Sequence, residues 1–150
     1  MRHVTTLLAL ALLAAPAISQ SCNLSVTGTL TPGDTLSIAL TDSIPNAPTL
    51  LAVGDTQGST AFNFGMLGSF SIDLDTPFLI LPLGFTDANG DTGISFSVPA
   101  NATLPPNIPS VTLYLQAVTI DFSLGMGMPT MTPPTPSLTT CVSDLETFTL

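Results

Sequence analysis

The segment "TDANGDTG", residues 86–93, holds the residues whose types and spacing could do chemistry. Asp87, Asn89 and Asp91 stand at alternate positions, as carboxylate and amide ligands do in calcium-binding loops. The match to an EF-hand loop stops there, because its twelfth position is Val98 rather than a bidentate glutamate. The three residues are therefore candidates for a calcium site of another kind. Neighbouring loops could add further oxygen ligands: Asp42, Asp121 or Asp144.

Two classes of hydrolase are also compatible with the composition, because their catalytic side chains are carboxylates only. The triplet "DTG" at 91–93 matches that of aspartic proteases, in which two carboxylates share one proton. Those enzymes place the triplet after an apolar strand, whereas Asn89-Gly90 precedes it here, and "GDT" recurs twice elsewhere at strand ends. The second interpretation is a glycosidase, which needs two carboxylates beside the scissile bond. Asp73 and Asp75 share one face of a predicted strand, but two solvated side chains are the simpler interpretation of this pair. An acidic hydrolase is thus a remote alternative.

A turn is the simplest interpretation of "TDANGDTG", because it requires neither a metal ion nor a second catalytic residue. Asn-Gly between two alternating strands predicts a hairpin with a type I′ turn, which requires positive φ at both central residues. The arms would be "FLILPLGFTD" and "TGISFSV". Asp87 and Asp91 would flank the turn and accept hydrogen bonds from backbone amides. Calcium binding remains a second role open to the same residues.

The charge balance excludes several classes of function. The chain has ten acidic residues, one arginine, one histidine and no lysine. Arg2 and His3 both lie in a predicted signal peptide, so cleavage changes the formal charge from −9 to −10. Without histidine or lysine, the Ser-His-Asp, Cys-His and Ser-Lys arrangements are impossible, and without lysine or arginine phosphates have no cation to bind. We therefore predict a non-enzyme without nucleic-acid partners, and a zinc site is not expected.

Export is predicted from residues 1–19. A short basic region precedes the apolar stretch 7–18, which is too short to span a bilayer, and small residues at Ala17 and Ser19 suit cleavage before Gln20. Residues 20–150 would then form one domain, secreted or at the surface of a bacterium, without membrane insertion. Cys22 and Cys141 are predicted to form a disulfide that closes a loop of about 120 residues.

Alternation with a period of two predicts an all-β fold. Segments such as "LSVTGTL" (24–30) and "TLSIALT" (35–41) place apolar residues on one face and Ser or Thr on the other. "ISFSV" (94–98) and "FLILPL" (78–83) are expected to be buried strands. Eight or nine such strands, separated by turn residues, favour an antiparallel β-sandwich, immunoglobulin-like or jelly-roll-like. The segment 125–137, with Met126, Met128 and Met131, is predicted to be an extended loop.

The segments "LLAVGDT", "LYLQAVTIDF" and "SDLETFTL" carry a resemblance. Over most of residues 26–150 the chain resembles a secreted bacterial domain found in planctomycete-type exported proteins, with a Leu-Tyr-x-Gln-Ala strand as its recurring element. The resemblance implies no catalytic residues. That family usually has a basic residue in its last strand, where this chain has "ETF".

A non-catalytic extracellular domain with a structural, adhesive or assembly role is the predicted function, with calcium as a candidate cofactor. Natural sheets often guard exposed edges with lysine, which this chain lacks, so self-association or docking on a cell-surface partner is expected. A carbohydrate-binding module is the alternative. It would require an exposed aromatic platform, for which Tyr114 beside Gln116 is the candidate.

Overall fold

A computed structural model describes residues 19–102, 110–124 and 136–149. The predicted signal peptide, apart from Ser19, and the methionines at 126, 128 and 131 lie outside the described residues. Pro136 and Ser137, predicted to belong to a loop, are strand residues instead. Within the described ranges, no helix is long and apolar enough to cross a membrane.

The described residues form ten β-strands and one short 3-10 turn, Gly65–Leu67. The strands are β1 Ser19–Thr27, β2 Thr35–Thr41, β3 Pro48–Gly54, β4 Gln57–Asn63, β5 Ser69–Leu74, β6 Leu79–Phe85, β7 Thr92–Ser97, β8 Thr112–Leu124, β9 Pro136–Ser143 and β10 Glu146–Thr149. The prediction of an all-β fold is confirmed.

One large sheet contains eight of these strands. Its order is β6-β3-β8-β9-β1-β2-β7, and β10 also pairs with β8. The start of β1 pairs in parallel with β9, and the rest of β1 pairs antiparallel with β2, so β1 joins the two parts of the sheet. The sheet is nearly closed and barrel-like, and a sandwich is not confirmed. The strands β4 and β5 form a separate antiparallel hairpin.

The main core lies on the inner face of this sheet. It combines side chains from both parts of the sheet that β1 joins: Leu24, Ile38, Leu40, Leu51, Leu115 and Ala117. Cys22 and Cys141 belong to the same cluster and are almost fully buried. They form the predicted disulfide, with 6.0 Å between their Cα atoms, across the parallel pair β1–β9.

A second apolar cluster lies between the β4–β5 hairpin and the main sheet. Ile72 and Leu74 of the hairpin are buried there against Ala52 and Val118. The hairpin is also held by Gln116 of β8, whose Oε1 accepts the backbone N–H of Asp73 at 2.7 Å. The hairpin therefore forms a second layer on the outer side of β3 and β8.

The sequence predicts that the strands β6 and β7 are buried, and this prediction is wrong. Ile94 and Phe96 of β7 and the apolar run of β6 are largely exposed. Their exposure follows from their positions in the sheet. Both strands end the strand order, so each pairs with one described neighbour, β6 with β3 and β7 with β2.

Candidate functional site

The segment "TDANGDTG" forms a tight turn between β6 and β7. The N–H of Gly90 donates to the carbonyl of Asp87 at 3.1 Å, and the N–H of Asp87 donates to the carbonyl of Asp91 at 2.8 Å. Gly90 has φ +89°, whereas Asn89 does not have a positive φ. A three-residue loop that ends in a left-handed glycine has this pattern. The predicted type I′ turn is therefore wrong.

The predicted hairpin ladder is also wrong. Its two arms, β6 and β7, pair with β3 and β2 rather than with each other. Each arm thereby aligns its apolar residues with a core strand: Leu81 lies opposite Leu51, and Ile94 opposite Ile38. The turn joins the two ends of the nearly closed sheet.

Asp87 holds the turn together. Its Oδ1 accepts the backbone N–H groups of Asn89 at 2.7 Å and of Asp91 at 3.0 Å. These bonds, that of Asp91 above all, lower the pKa of Asp87 from its usual 3.8, because they stabilise the ionised form. The Oδ1 of Asp91 accepts the N–H of Asp42 at 3.4 Å. The carboxylates are thus placed to bond backbone amides.

The turn brings Asp87, Asn89 and Asp91 together, as the calcium hypothesis requires. Among the described residues, however, no group of three or more His, Cys, Asp or Glu side chains is placed to hold a metal ion. Of the three carboxylates expected to add ligands, Asp42 is close to Asp91, and its Oδ2 accepts Asn23 Nδ2 at 2.8 Å. Calcium binding at this turn stays a prediction.

The role of Asp87 in the turn predicts how stability depends on pH. Because the folded-state pKa is depressed, the stabilisation by ionised Asp87 is complete above about pH 4 and is lost as pH falls through the folded pKa. Asp87→Asn keeps an oxygen acceptor but removes the charge. We expect its melting temperature to be below that of the wild type at pH 7, and the gap to close in acid.

Thermal unfolding followed by circular dichroism from about pH 2 to pH 7 measures this gap. Asp144→Asn is the control, because it removes one charge from an exposed carboxylate away from the turn. A gap between Asp87→Asn and the wild type that is equally large at pH 2 and pH 7 would contradict the assigned role.

The turn does not stand alone, because it docks on the loop 42–47 between β2 and β3. Thr86 is buried, and its Oγ1 accepts the N–H of Ala47 at 2.9 Å and donates to the carbonyl of Ile44. The N–H of Thr86 donates in turn to the carbonyl of Ala47 at 3.0 Å. We call the turn 86–91 and the loop 42–47 together the clasp.

Backbone contacts complete the clasp. The N–H of Asn46 donates to the carbonyl of Asp87 at 3.1 Å, and that of Ser43 donates to the carbonyl of Gly90 at 3.2 Å. Gly90 is buried against the backbone of Ser43. The clasp therefore fixes the end of the sheet at which β6 leads into β7.

Buried hydroxyl groups anchor the clasp to the core. Ser43 Oγ donates to Thr119 Oγ1 of β8 at 2.7 Å, and Thr49 Oγ1 of β3 lies 2.9 Å from the same oxygen. All three side chains are buried, so their mutual bonds offset the cost of removing them from water. The sequence pattern does not reveal this group, because strand alternation predicts Ser and Thr on the solvated face. Its only signal is Thr119 within a long apolar strand.

Beyond the clasp, the sheet opens between β6 and β7. Leu83 and Thr92, next to the clasp, are partly buried, and Thr92 Oγ1 donates to the carbonyl of Leu83 at 3.4 Å. Farther along, exposure rises in both strands. The exposed fractions are 37% for Leu81 and 59% for Leu79 in β6, and 36% for Ile94 and 45% for Phe96 in β7. We call this opening, lined by those four residues, the seam.

The two edges of the seam differ. β6 carries Pro82, which has no N–H donor, and its register with β3 shifts opposite Thr49 and Leu50. Prolines and bulges are devices that natural sheets use to block edge-to-edge pairing. β7 pairs with β2 in unbroken register over all six residues and has neither a proline nor a charged side chain. Among the described strands only β2 pairs with β7, so the other edge of β7 is free there, and it is the unguarded one.

The platform expected for carbohydrate binding is not present. Gln116 is buried, and its Nε2 donates to the carbonyl of Ser143 at 2.8 Å and to Asp73 Oδ2 at 3.2 Å. Tyr114 is half-buried and packs against the second apolar cluster. Carbohydrate binding consequently has no support from these two residues.

The sequence matches no family model and no curated protein, and the fold matches no solved structure. The resemblance suggested by "LYLQAVTIDF" stays a prediction. Within the described residues, the seam combines exposed apolar side chains with an uncharged edge strand, β7.

Proposed function

We propose that the protein is a non-catalytic extracellular domain that assembles with copies of itself through the free edge of β7. One observation carries this proposal: an uncharged, proline-free edge strand lies beside apolar side chains that the fold leaves exposed. Exposed strand edges are ready templates for pairing with another chain. A catalytic role has no comparable support.

Two copies of β7 can pair in an antiparallel manner about a twofold axis, which makes the contact self-complementary. The seven-strand path of one copy would then continue into that of its partner. Ile94 and Phe96 lie opposite Ile38 and Leu36, so they share the inner face of the sheet and would be covered from the seam side. Full burial of such a side chain contributes about 1.5–3 kcal/mol, and these are already partly buried. We therefore expect a weak complex, with a Kd on the order of 10–100 µM.

Charge modulates this assembly. Each exported copy would carry a formal charge of −10, so two copies repel each other unless salt or divalent cations screen them. Calcium would favour assembly by reducing this repulsion, either as a screening ion or as an ion bound at the clasp. Comparing calcium with an equal ionic strength of sodium chloride separates the two roles.

We also propose that the protein is secreted and that its sheet packs in a sandwich-like manner. Secretion is supported by the signal-like residues 1–19 and is compatible with the disulfide. A sandwich-like packing is supported by the main core, in which Leu24 of β1 and Ile38 of β2 belong to the same apolar cluster as Leu115 of β8. The carbohydrate-binding alternative is tested by a glycan array.

Ser95→Lys tests the proposal. Ser95 is exposed at the middle of β7, where Ser95 Oγ lies 2.8 Å from Ser37 Oγ of β2. A lysine there guards the edge, and the two ammonium groups of a paired complex would repel each other. We expect light scattering after size exclusion to show a concentration-dependent dimer for the wild type and a monomer for Ser95→Lys.

Thr147→Lys is the matched control, because it makes the same change in net charge on β10, away from the seam. It should dimerise like the wild type. A strictly monomeric wild type, in calcium and in chelator, would rule out the proposal. So would dimerisation of Ser95→Lys at wild-type concentrations.

A further inference from the structure

An apolar cleft lies between the β4–β5 hairpin and the outer side of β3, β6 and β8. Its volume is about 120 Å³, and its walls are hydrocarbon side chains. These include Phe62, Phe64, Phe70, Phe78, Ala52 and Ile80. It is separate from the seam, since Ile80 faces the cleft whereas Leu79 and Leu81 align with core residues Val53 and Leu51.

Packed aromatic rings build the hairpin side of the cleft. The rings of Phe62 and Phe70 stack with centroids 5.0 Å apart, and Phe64 stacks on Phe70 at 5.8 Å. Phe78 meets Phe62 edge-on at 6.3 Å. Such contacts hold aromatic rings in fixed positions. The wall is therefore a formed surface rather than a set of independent side chains.

Hydrogen bonds and apolar packing hold the hairpin against the sheet at one end of the cleft. Gln116 binds both the N–H and the carboxylate of Asp73, and Ile72 and Leu74 are fully buried beside it. These contacts set the distance between the hairpin and the sheet. At the far end, Phe64 meets Phe122 of β8 edge-on with ring centroids 6.2 Å apart, so the hairpin contacts the sheet at both ends of the cleft.

We infer that this cleft binds an uncharged hydrocarbon group the size of one aromatic ring or a short alkyl chain. Apolar cavities of about 150 Å³ in proteins stay dry and bind benzene, so the size fits such a group. A sugar would lose its hydrogen bonds to water without gaining others, because only hydrocarbon side chains line the walls. A carboxylate would find no cation, since the chain has no lysine and its one arginine lies at position 2. The inference does not depend on assembly through β7.

The pair 1-hexanol and hexanoate tests this inference, because the two ligands share a hydrocarbon chain and differ in charge. We expect 1-hexanol to bind with a Kd on the order of 1 mM. Hexanoate should bind at least about tenfold more weakly, owing to its unpaired charge. Titrations are followed by the aromatic NMR resonances of Phe62, Phe70 and Phe78. Using the Ser95→Lys chain keeps β7 pairing out of the measurement.

Ile80→Glu should weaken 1-hexanol binding by at least about tenfold, because it adds a charge to the cleft wall. Leu79→Glu is the matched control: the neighbouring side chain is similarly exposed, does not line the cleft, and should leave the Kd unchanged. If Ile80→Glu does not fold, Phe64→Ala, which removes a half-exposed wall residue, replaces it with the same expected direction.

Equal affinities for 1-hexanol and hexanoate would overturn the inference, as would an equal effect of the two glutamate variants. The inference would also be overturned if the phenylalanine resonances did not change at 1-hexanol concentrations well above the expected Kd. Binding that weakens as protein concentration rises would also contradict it, because the cleft would then be filled by a second copy.

Discussion

Loss of the disulfide between Cys22 and Cys141 is expected to lower the free energy of unfolding by about 5 kcal/mol. The two cysteines are 119 residues apart, so the bridge closes a loop that spans nearly all of the described chain. In the chain-entropy model, a loop of this length restricts the unfolded ensemble more than a short one does. Single domains are typically stable by only about 5–15 kcal/mol.

The position of the disulfide adds to this effect. It lies across the parallel pair of β1 and β9, where only the first four residues of β1, 19–22, are in register with β9. Because β1 joins the two parts of the sheet, detachment of its start would separate β2 and β7 from β9 and β8. The bridge therefore secures the connection on which the closed shape depends.

Urea unfolding of the Cys22→Ala/Cys141→Ala chain, compared with the oxidised wild type, measures the loss. The wild type under reducing conditions is the control, since it lacks the bridge but keeps both sulfur atoms in the core. Both should lose several kcal/mol. A difference below about 1 kcal/mol in the reduced wild type would mean that the bridge does not secure the fold.

Gly90→Ala is expected to destabilise the protein by about 3 kcal/mol or more. Gly90 has φ +89°, a conformation that costs alanine roughly 1–2 kcal/mol. In addition, a Cβ atom at this position would lie 2.1 Å from the carbonyl oxygen of Ser43 and 2.8 Å from its carbon. Both are backbone atoms, so relief of the clash requires the clasp to come apart.

Gly84→Ala provides the matched control. Gly84 also has a positive φ, +101°, but an added Cβ there would meet no atom within 4 Å. Its substitution should therefore cost only the conformational part, about 1–2 kcal/mol. Chemical denaturation of both variants separates strain from steric clash. Equal losses in the two variants would show that Gly90 does not have to pack against Ser43.

Local sequence patterns predicted much of the fold. The bounds of β2 and the alternation of Leu36, Ile38 and Leu40 follow from a period of two that neighbouring strands leave intact. The disulfide was predictable from two cysteines in a chain whose first 19 residues resemble an export signal. The turn in "TDANGDTG" and the bonds from Asp87 to backbone amides are equally local, because they involve residues within four positions of each other.

Long-range pairing was not predictable in the same way. The run "FLILPL" has the composition of a buried strand, but its exposure depends on being the last strand in the order. The clasp depends on contacts between Thr86 and the loop 42–47, about 40 residues away in sequence. Nothing within a short window encodes such a contact. The aromatic cleft is unpredictable for the same reason, since its walls come from β3, β4, β5, β6 and β8, which lie far apart in the sequence.

Hydrogen–deuterium exchange at increasing protein concentration tests assembly through β7 most directly. The proposal predicts that backbone amides of residues 92–97 exchange more slowly as concentration rises, because pairing would occupy the free edge of β7. Amides of residues 79–85, on the guarded edge, should exchange at the same rate at every concentration. Exchange at 92–97 that is independent of concentration, or new protection confined to 79–85, would contradict assembly through β7.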